Sequence, residues 1–212
     1  MIHRYCPNIV DIPLISIDDN LRIIPNVDLR YRLSIPIKNR RTGINISVIL
    51  MNPAEADVTI SDKTVNKLID FFYNFSNSNI QIKNIDICNV IPIYAISSLD
   101  TANKLKNLHT ANFLKSIEIK NINKINDVLK KSDKVVLAWG QPNVNTIHRT
   151  YYYSQINKIL ETLLEMEKDI YVFDMLDSKA KFNEYGDPRH AGRSAVLNKL
   201  LNVSVEELFG LV

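Results

Sequence analysis

Glycine is scarce, with five in 212 residues. They are too dispersed to form a phosphate-cradling loop or a dinucleotide-binding fingerprint, which disfavours nucleotide triphosphatases and nicotinamide enzymes. The two cysteines, Cys6 and Cys88, lie far apart and form no CxxC pair. That argues against a zinc site and a disulfide scaffold, and it fits a reducing compartment. Of the four histidines, no two stand at helical metal-ligand spacing, so neither metal nor cofactor is expected. No apolar run approaches the roughly 18 residues of a membrane span, and Met1-Ile-His-Arg-Tyr5 lacks the apolar stretch of a secretory signal. The reading is therefore a cytoplasmic protein with no membrane partner. Charge of one sign is also lacking: 26 basic against 23 acidic residues leave a net +3, so any basic surface must be local. What is present is ordinary for a folded chain, 46% hydrophobic and 23% charged, which excludes intrinsic disorder.

Such a length suits one domain over 1–212, read as an irregular or edge-strand region at 1–43, an α/β core at 44–201 and a short C-terminal helix at 202–212. In the first region Tyr31-Arg-Leu-Ser-Ile35 is the best strand candidate. Ile44 to Met51 is a β-branched, nearly continuous apolar run, the mark of a strand covered on both faces, and Asn52-Pro53 ends it. Val65, Leu68, Ile69 and Phe72 predict a helix behind a capping Asp62. Ile80 to Ile91, Lys134 to Ala138 and Ile170 to Met175 read as strands. Ala111 to Lys131 and the stripe Ile156, Ile159, Leu160, Leu163, Leu164 read as helices. Ser194 to Leu201 reads as another helix, and Ser204-Val-Glu-Glu207 as a capping box. Four strands with crossover-length connections imply a three-layer α/β/α sandwich around a mainly parallel central sheet. Right-handed crossovers place the strand C-termini along one edge, where ligands of such sheets bind.

Polar clusters collect at that edge: Asn52-Pro-Ala-Glu-Ala-Asp57, Asn89, Trp139-Gly140 and Gly186-Asp-Pro-Arg-His190. Each has a plain use. Asn-Pro commonly makes a turn, a tryptophan packs a core, a lone asparagine satisfies backbone groups, and Asp62 caps a helix. Their convergence is what points to a site. Arg189, Arg193, Lys179, Lys181, His148 and Arg149 are placed to grip phosphates, although loop cations are most often simply solvated. The run Tyr151-Tyr-Tyr153 suits base stacking or packing.

Taken in order, Ile49-Leu-Met-Asn-Pro-Ala-Glu-Ala-Asp57, Ser61-Asp-Lys-Thr64, Asn89, Ala138-Trp-Gly140 and Gly186-Asp-Pro-Arg-His190 resemble the family catalogued as domain of unknown function 1643, over roughly residues 30 to 195, with Arg30-Tyr-Arg-Leu33 as its first strand. That family implies no activity. More distantly, Asn-Pro after the first core strand, Asn ending the second, Trp-Gly after the third and a terminal-loop His resemble the uracil-DNA glycosylase superfamily. The resemblance implies that fold and an N-glycosidase acting on a base, one that is modified or not, in nucleic acid or a nucleotide. It implies that Asn52, with Pro53, holds water, that Asn89 reads a base edge and that His190 stabilises the departing base. Asparagine cannot take a proton, so Asp57 or Asp62 is the candidate base, with Glu55 behind them. Ala191-Gly-Arg193 replaces the prolines and DNA-wedging leucine of that superfamily, and no aromatic closely follows Pro53, which disfavours duplex DNA. The alternative is a module that binds a nucleotide or nucleic acid in the same pocket without turning it over.

Overall fold

The fold follows from which runs are buried on two faces. A computed structural model describes residues 3–75, 80–142, 146–176, 180–193 and 196–209, with the backbone alone at 20–22. The elements in order are β1 (Ser16–Ile24), β2 (Val27–Pro36), β3 (Ile44–Leu50), α1 (Lys63–Asn74), β4 (Ile82–Asn89), α2 (Ser98–Thr110), α3 (Leu114–Lys131), β5 (Lys134–Leu137), α4 (Arg149–Met166), β6 (Ile170–Met175), β7 (Leu197–Val203) and α5 (Val205–Leu208). The strands form one sheet in the order β1-β2-β4-β3-β5-β6-β7.

Its centre is the parallel array expected from sequence. β3 pairs in parallel with β4 and β5, and β5 with β6. The sheet is larger and more mixed than four strands, because β1-β2, β2-β4 and β6-β7 are antiparallel. The segment read as irregular or edge-strand thus supplies two full strands, and β2 contains the strand expected over 31–35. Asn26, at φ 64°, makes the two-residue turn between them, a conformation asparagine tolerates better than most residues.

Where a helix was expected over Ser194 to Leu201, Leu197–Val203 is a strand. Residues 194 and 195 lie outside the described residues, and Leu197 onward pairs with β6 as β7. Leu197, Leu200 and Leu201 stand at helical spacing, but the antiparallel ladder to β6 overrides that local preference.

Two hydrophobic clusters cover the two faces. Ile46, Val48 and Leu50 of β3 pack with Val65, Leu68 and Phe72 of α1. On the opposite face Ile49 joins Ile125 and Leu129 of α3 and Ile156 and Leu160 of α4. Phe173 sits edge-on to Phe71, centroids 5.2 Å apart, and so clamps α1 to β6. The parallel pairing sets the C-terminal ends of β3, β4 and β5 side by side along one rim of the sheet.

Candidate active site

Beyond β3 the chain stays registered with its neighbour: Val90 N–H donates to Leu50 O, Ile91 N–H to Met51 O, and Ala95 N–H to Pro53 O. Asn52 is fixed within this frame. Its side-chain NH₂ donates to Pro53 O at 3.0 Å and Ala95 O at 2.9 Å, so the carbonyl Oδ1 is the group it can offer a ligand. Pro53 itself is buried and acts through its carbonyl.

Asn52, Asp62 and His190 line one cleft of about 220 Å³, together with Arg30, Leu50, Thr64, Val65 and Ser97-Ser98. Asp62 caps α1 as its position suggested: Oδ1 accepts the Val65 N–H at 2.8 Å. That hydrogen bond uses one carboxylate oxygen. A larger groove of about 940 Å³ lies between α1 and β7, but no buried polar side chain lines it.

His190 reaches the cleft because two glycines make room. Gly140 adopts φ 67°, donates its N–H to Pro188 O, and a Cβ there would lie 2.7 Å from that of His190. A Cβ on Gly192 would lie 2.5 Å from Thr64 Oγ1 and 2.9 Å from His190 Cε1. Gly192 N–H donates to His190 Nδ1 at 3.0 Å, so a neutral ring carries its proton on Nε2. Burial lowers the imidazole pKa to about 4, with Arg193 and Lys67 adding to the effect and Asp62 opposing it. The ring is neutral at pH 7 and is a hydrogen-bond donor. Lys67 holds the loop from below, donating to Ala191 O and Arg193 O.

The residue that sequence reasoning passed over is Arg30. It is 1% exposed, and its Nη1 donates to Ala56 O at 2.8 Å and Nη2 to Asn89 Oδ1 at 3.1 Å. Its guanidinium lies over the Tyr94 ring, 5.6 Å from the centroid. Nε has no hydrogen-bond partner, and no carboxylate among the described residues pairs with the group. No local signal in the sequence marks it: Val27 to Ile35 alternates apolar and polar residues, Arg30 stands at a polar position, and the pairing with β1 slips beside it, Asp18 facing Arg32 and Asp19 facing Arg30. Arg30 arrives at this rim because β2 runs antiparallel to β4, which puts the N-terminal end of β2 beside the C-terminal end of β4.

The other expected residues lie outside the cleft. Asn89 is wholly buried behind Arg30, with its backbone carbonyl accepting from Asn121 Nδ2, so it positions the arginine instead of facing a ligand. Asp57 faces its own turn, where Oδ1 accepts from Thr59 N–H, Thr59 Oγ1 and Ile60 N–H. Burial works to raise its pKa, but those bonds and the Arg30 charge outweigh it and hold the carboxyl below the ordinary aspartate value. Arg189 donates to Ala180 O and Phe182 O, fastening its own loop. Arg193 is exposed and touches the site only through its charge and backbone. Lys181 pairs with Glu207, Arg149 stacks on Tyr185, and Lys179 lies outside the described residues.

Trp139 and the tyrosine run are packing elements. Tyr152 OH donates to Gly140 O at 3.1 Å, and Tyr153 OH to Asp187 Oδ2 at 2.7 Å. Trp139 is 1% exposed, and its N–H lies near enough to Asp187 to favour that carboxylate without reaching hydrogen-bond geometry. Among the described residues no group of three or more His, Cys, Asp or Glu side chains is arranged to hold a metal, and no helix is long and apolar enough to cross a membrane.

Residues 30–191, from the buried arginine to the residue after His190, match a family described as protein of unknown function (DUF1643). The chain belongs to DUF1643. The matched DUF1643 segment begins at Arg30 and so includes every residue that lines the cleft. No curated protein and no solved structure matches the chain.

Proposed function

We propose that the cleft hydrolyses the N-glycosidic bond of a nucleotide, free or in nucleic acid, on a three-layer fold of the uracil-DNA glycosylase type. One observation carries the reading: Asn52 and Asp62, from the segment between β3 and α1, and the Nε2–H tautomer of His190, from the far end of the chain, line one small cleft with a buried cation. Breaking the C1′–N bond sends its electron pair to the departing base, while the oxygen of a water forms the new bond to C1′. In this reading the neutral His190 donates to the anion developing on the base. Asn52 Oδ1 accepts one hydrogen of the water. The water's other proton ends on the departing base, and Asp62 Oδ2, which the cap does not use, is left to hold the substrate.

Losing such a donor costs about 2.7 to 4 kcal/mol, so His190→Ala should release base at least about a hundredfold more slowly while folding and binding as before. The assay presents DNA containing uracil or hypermodified bases, and the corresponding nucleotides, and reads free base and alkali-labile abasic sites. Equal rates in variant and parent remove His190 from the mechanism. A binding module without turnover is the second reading, and it is favoured by Asp57 and Asn89 both being committed to internal hydrogen bonds. Retention of a nucleotide with no base released selects it.

A further inference from the structure

Arg30 is a fully buried guanidinium with no carboxylate partner among the described residues, and a guanidinium does not shed its proton in a protein. Burial opposes its charge, and the compensation it receives consists of one backbone carbonyl, one amide oxygen, an aromatic face and the charges of nearby groups, the Asp62 carboxylate among them. The cleft above it is flanked by two helix N-termini. Asp62, Thr64 and Val65 belong to the start of α1, and Ser97 and Ser98 to the start of α2. Asp62 and Ser97 each cap one N–H of their own helix, at Val65 and Asp100. The Thr64 and Ser98 amides are first-turn donors, left by their position without an intrahelical acceptor. Both helices run for three turns or more, so their N-terminal partial charges add to that of Arg30.

One group in the cleft has the opposite sign. Asp62 Oδ2 stands in this field of donors and repels any fully deprotonated anion. It accepts a hydrogen bond from an anion that still carries a proton. We propose that the cleft is the receptor for a terminal phosphate monoester, whose oxygens take hydrogen bonds from Arg30 and the N-termini of α1 and α2 and whose own hydroxyl donates to Asp62. A monoester has a second pKa near 6 and so offers that proton near neutral pH, whereas sulfate and an internal phosphodiester have none to offer. This rests on the glycosidase reading in placing a nucleotide at the site, and it narrows the substrate to free nucleotides or phosphorylated ends. About 220 Å³ is below the size of pockets that enclose a drug-sized ligand, which suits a phosphate and the adjoining edge of a sugar, with the base toward His190.

Calorimetric titration near pH 6 with inorganic phosphate, a nucleoside 5′-monophosphate, sulfate and a dinucleoside phosphodiester tests it. The first two are expected to bind at least about tenfold more tightly than the last two. Asp62→Asn keeps a helix cap and is expected to erase that preference. Arg30→Met is expected to abolish binding. Ser98→Pro guards against loss of fold in that variant: proline suits the first position of a helix and removes one amide donor, so phosphate affinity should fall about tenfold with α2 intact. No phosphate binding, equal binding of sulfate or diester, or unchanged affinity in Ser98→Pro overturns the proposal. Phosphate binding without base release removes the glycosidase reading and leaves the receptor. Base release from internal positions that saturating phosphate fails to slow does the reverse.

Discussion

His190 couples the chemistry of the cleft to the stability of the chain. Its folded pKa, lowered to about 4 chiefly by burial, lies beneath the value near 6.5 of an unfolded histidine. Between those values the unfolded chain binds more protons. The stability held by the neutral ring is therefore whole above about pH 6.5 and is lost as pH falls to about 4, a loss of at most about 3 kcal/mol. Urea unfolding of parent and His190→Gln at pH 7 and pH 4.5 should show a shallower acid loss in the variant, and identical losses would disprove the burial of the charge-free ring. Asp57 gives the contrasting case. Its carboxylate is spent on Thr59 and Ile60, and asparagine can accept the same bonds. Asp57→Asn should therefore keep base release within about threefold of the parent, since no proton transfer depends on it. A loss of a hundredfold would return Asp57 to the mechanism.

At the scale of elements, the loop that delivers His190 is shaped by close approach. Gly140→Ala puts a Cβ against the His190 Cβ at a residue with φ 67°, a conformation that itself costs of order 1–3 kcal/mol for most side chains. The variant should melt several degrees lower and lose turnover as His190 is pushed from the cleft. An unchanged melting temperature would mean that the loop yields freely. Legibility followed burial at this scale. β3 was plain because nearly every residue of its run is apolar and covered on both sides. α2 was missed because only Thr101 and Leu108 are buried along it, too few to make a stripe. β7 was read as a helix because leucines at 197, 200 and 201 satisfy either period, and only the pairing with β6 decides between them.

Across the whole molecule the two faces of the sheet are held by separate clusters, so one large truncation is felt widely. Phe173→Ala removes a wholly buried ring that contacts Phe71 and Phe72 and should cost about 3–5 kcal/mol in denaturant unfolding. A cost below about 1 kcal/mol would show that α1 is not anchored there. The thiols report the same layering. Cys6 is exposed, while Cys88 is buried with its pKa pushed up to about 12, so a thiol reagent should label one cysteine in the native protein and two after unfolding. Of the site, Asn52 was legible as a polar residue ending an apolar run, Asp62 as a helix cap, and His190 as the end of the Gly186-Asp-Pro-Arg-His190 cluster. Arg30 was not, because its place depends on a strand direction that local pattern does not encode. That direction carries a liability. The register with β4 is set from Leu33 onward, and between there and Arg30 the pairing with β1 slips by one residue, so a one-residue insertion or deletion between Arg30 and Leu33 would send the guanidinium into the other layer without changing a single residue of the rim. That stretch thus acts as a ruler, and its length is as much a part of the ligand site as any side chain that touches the ligand.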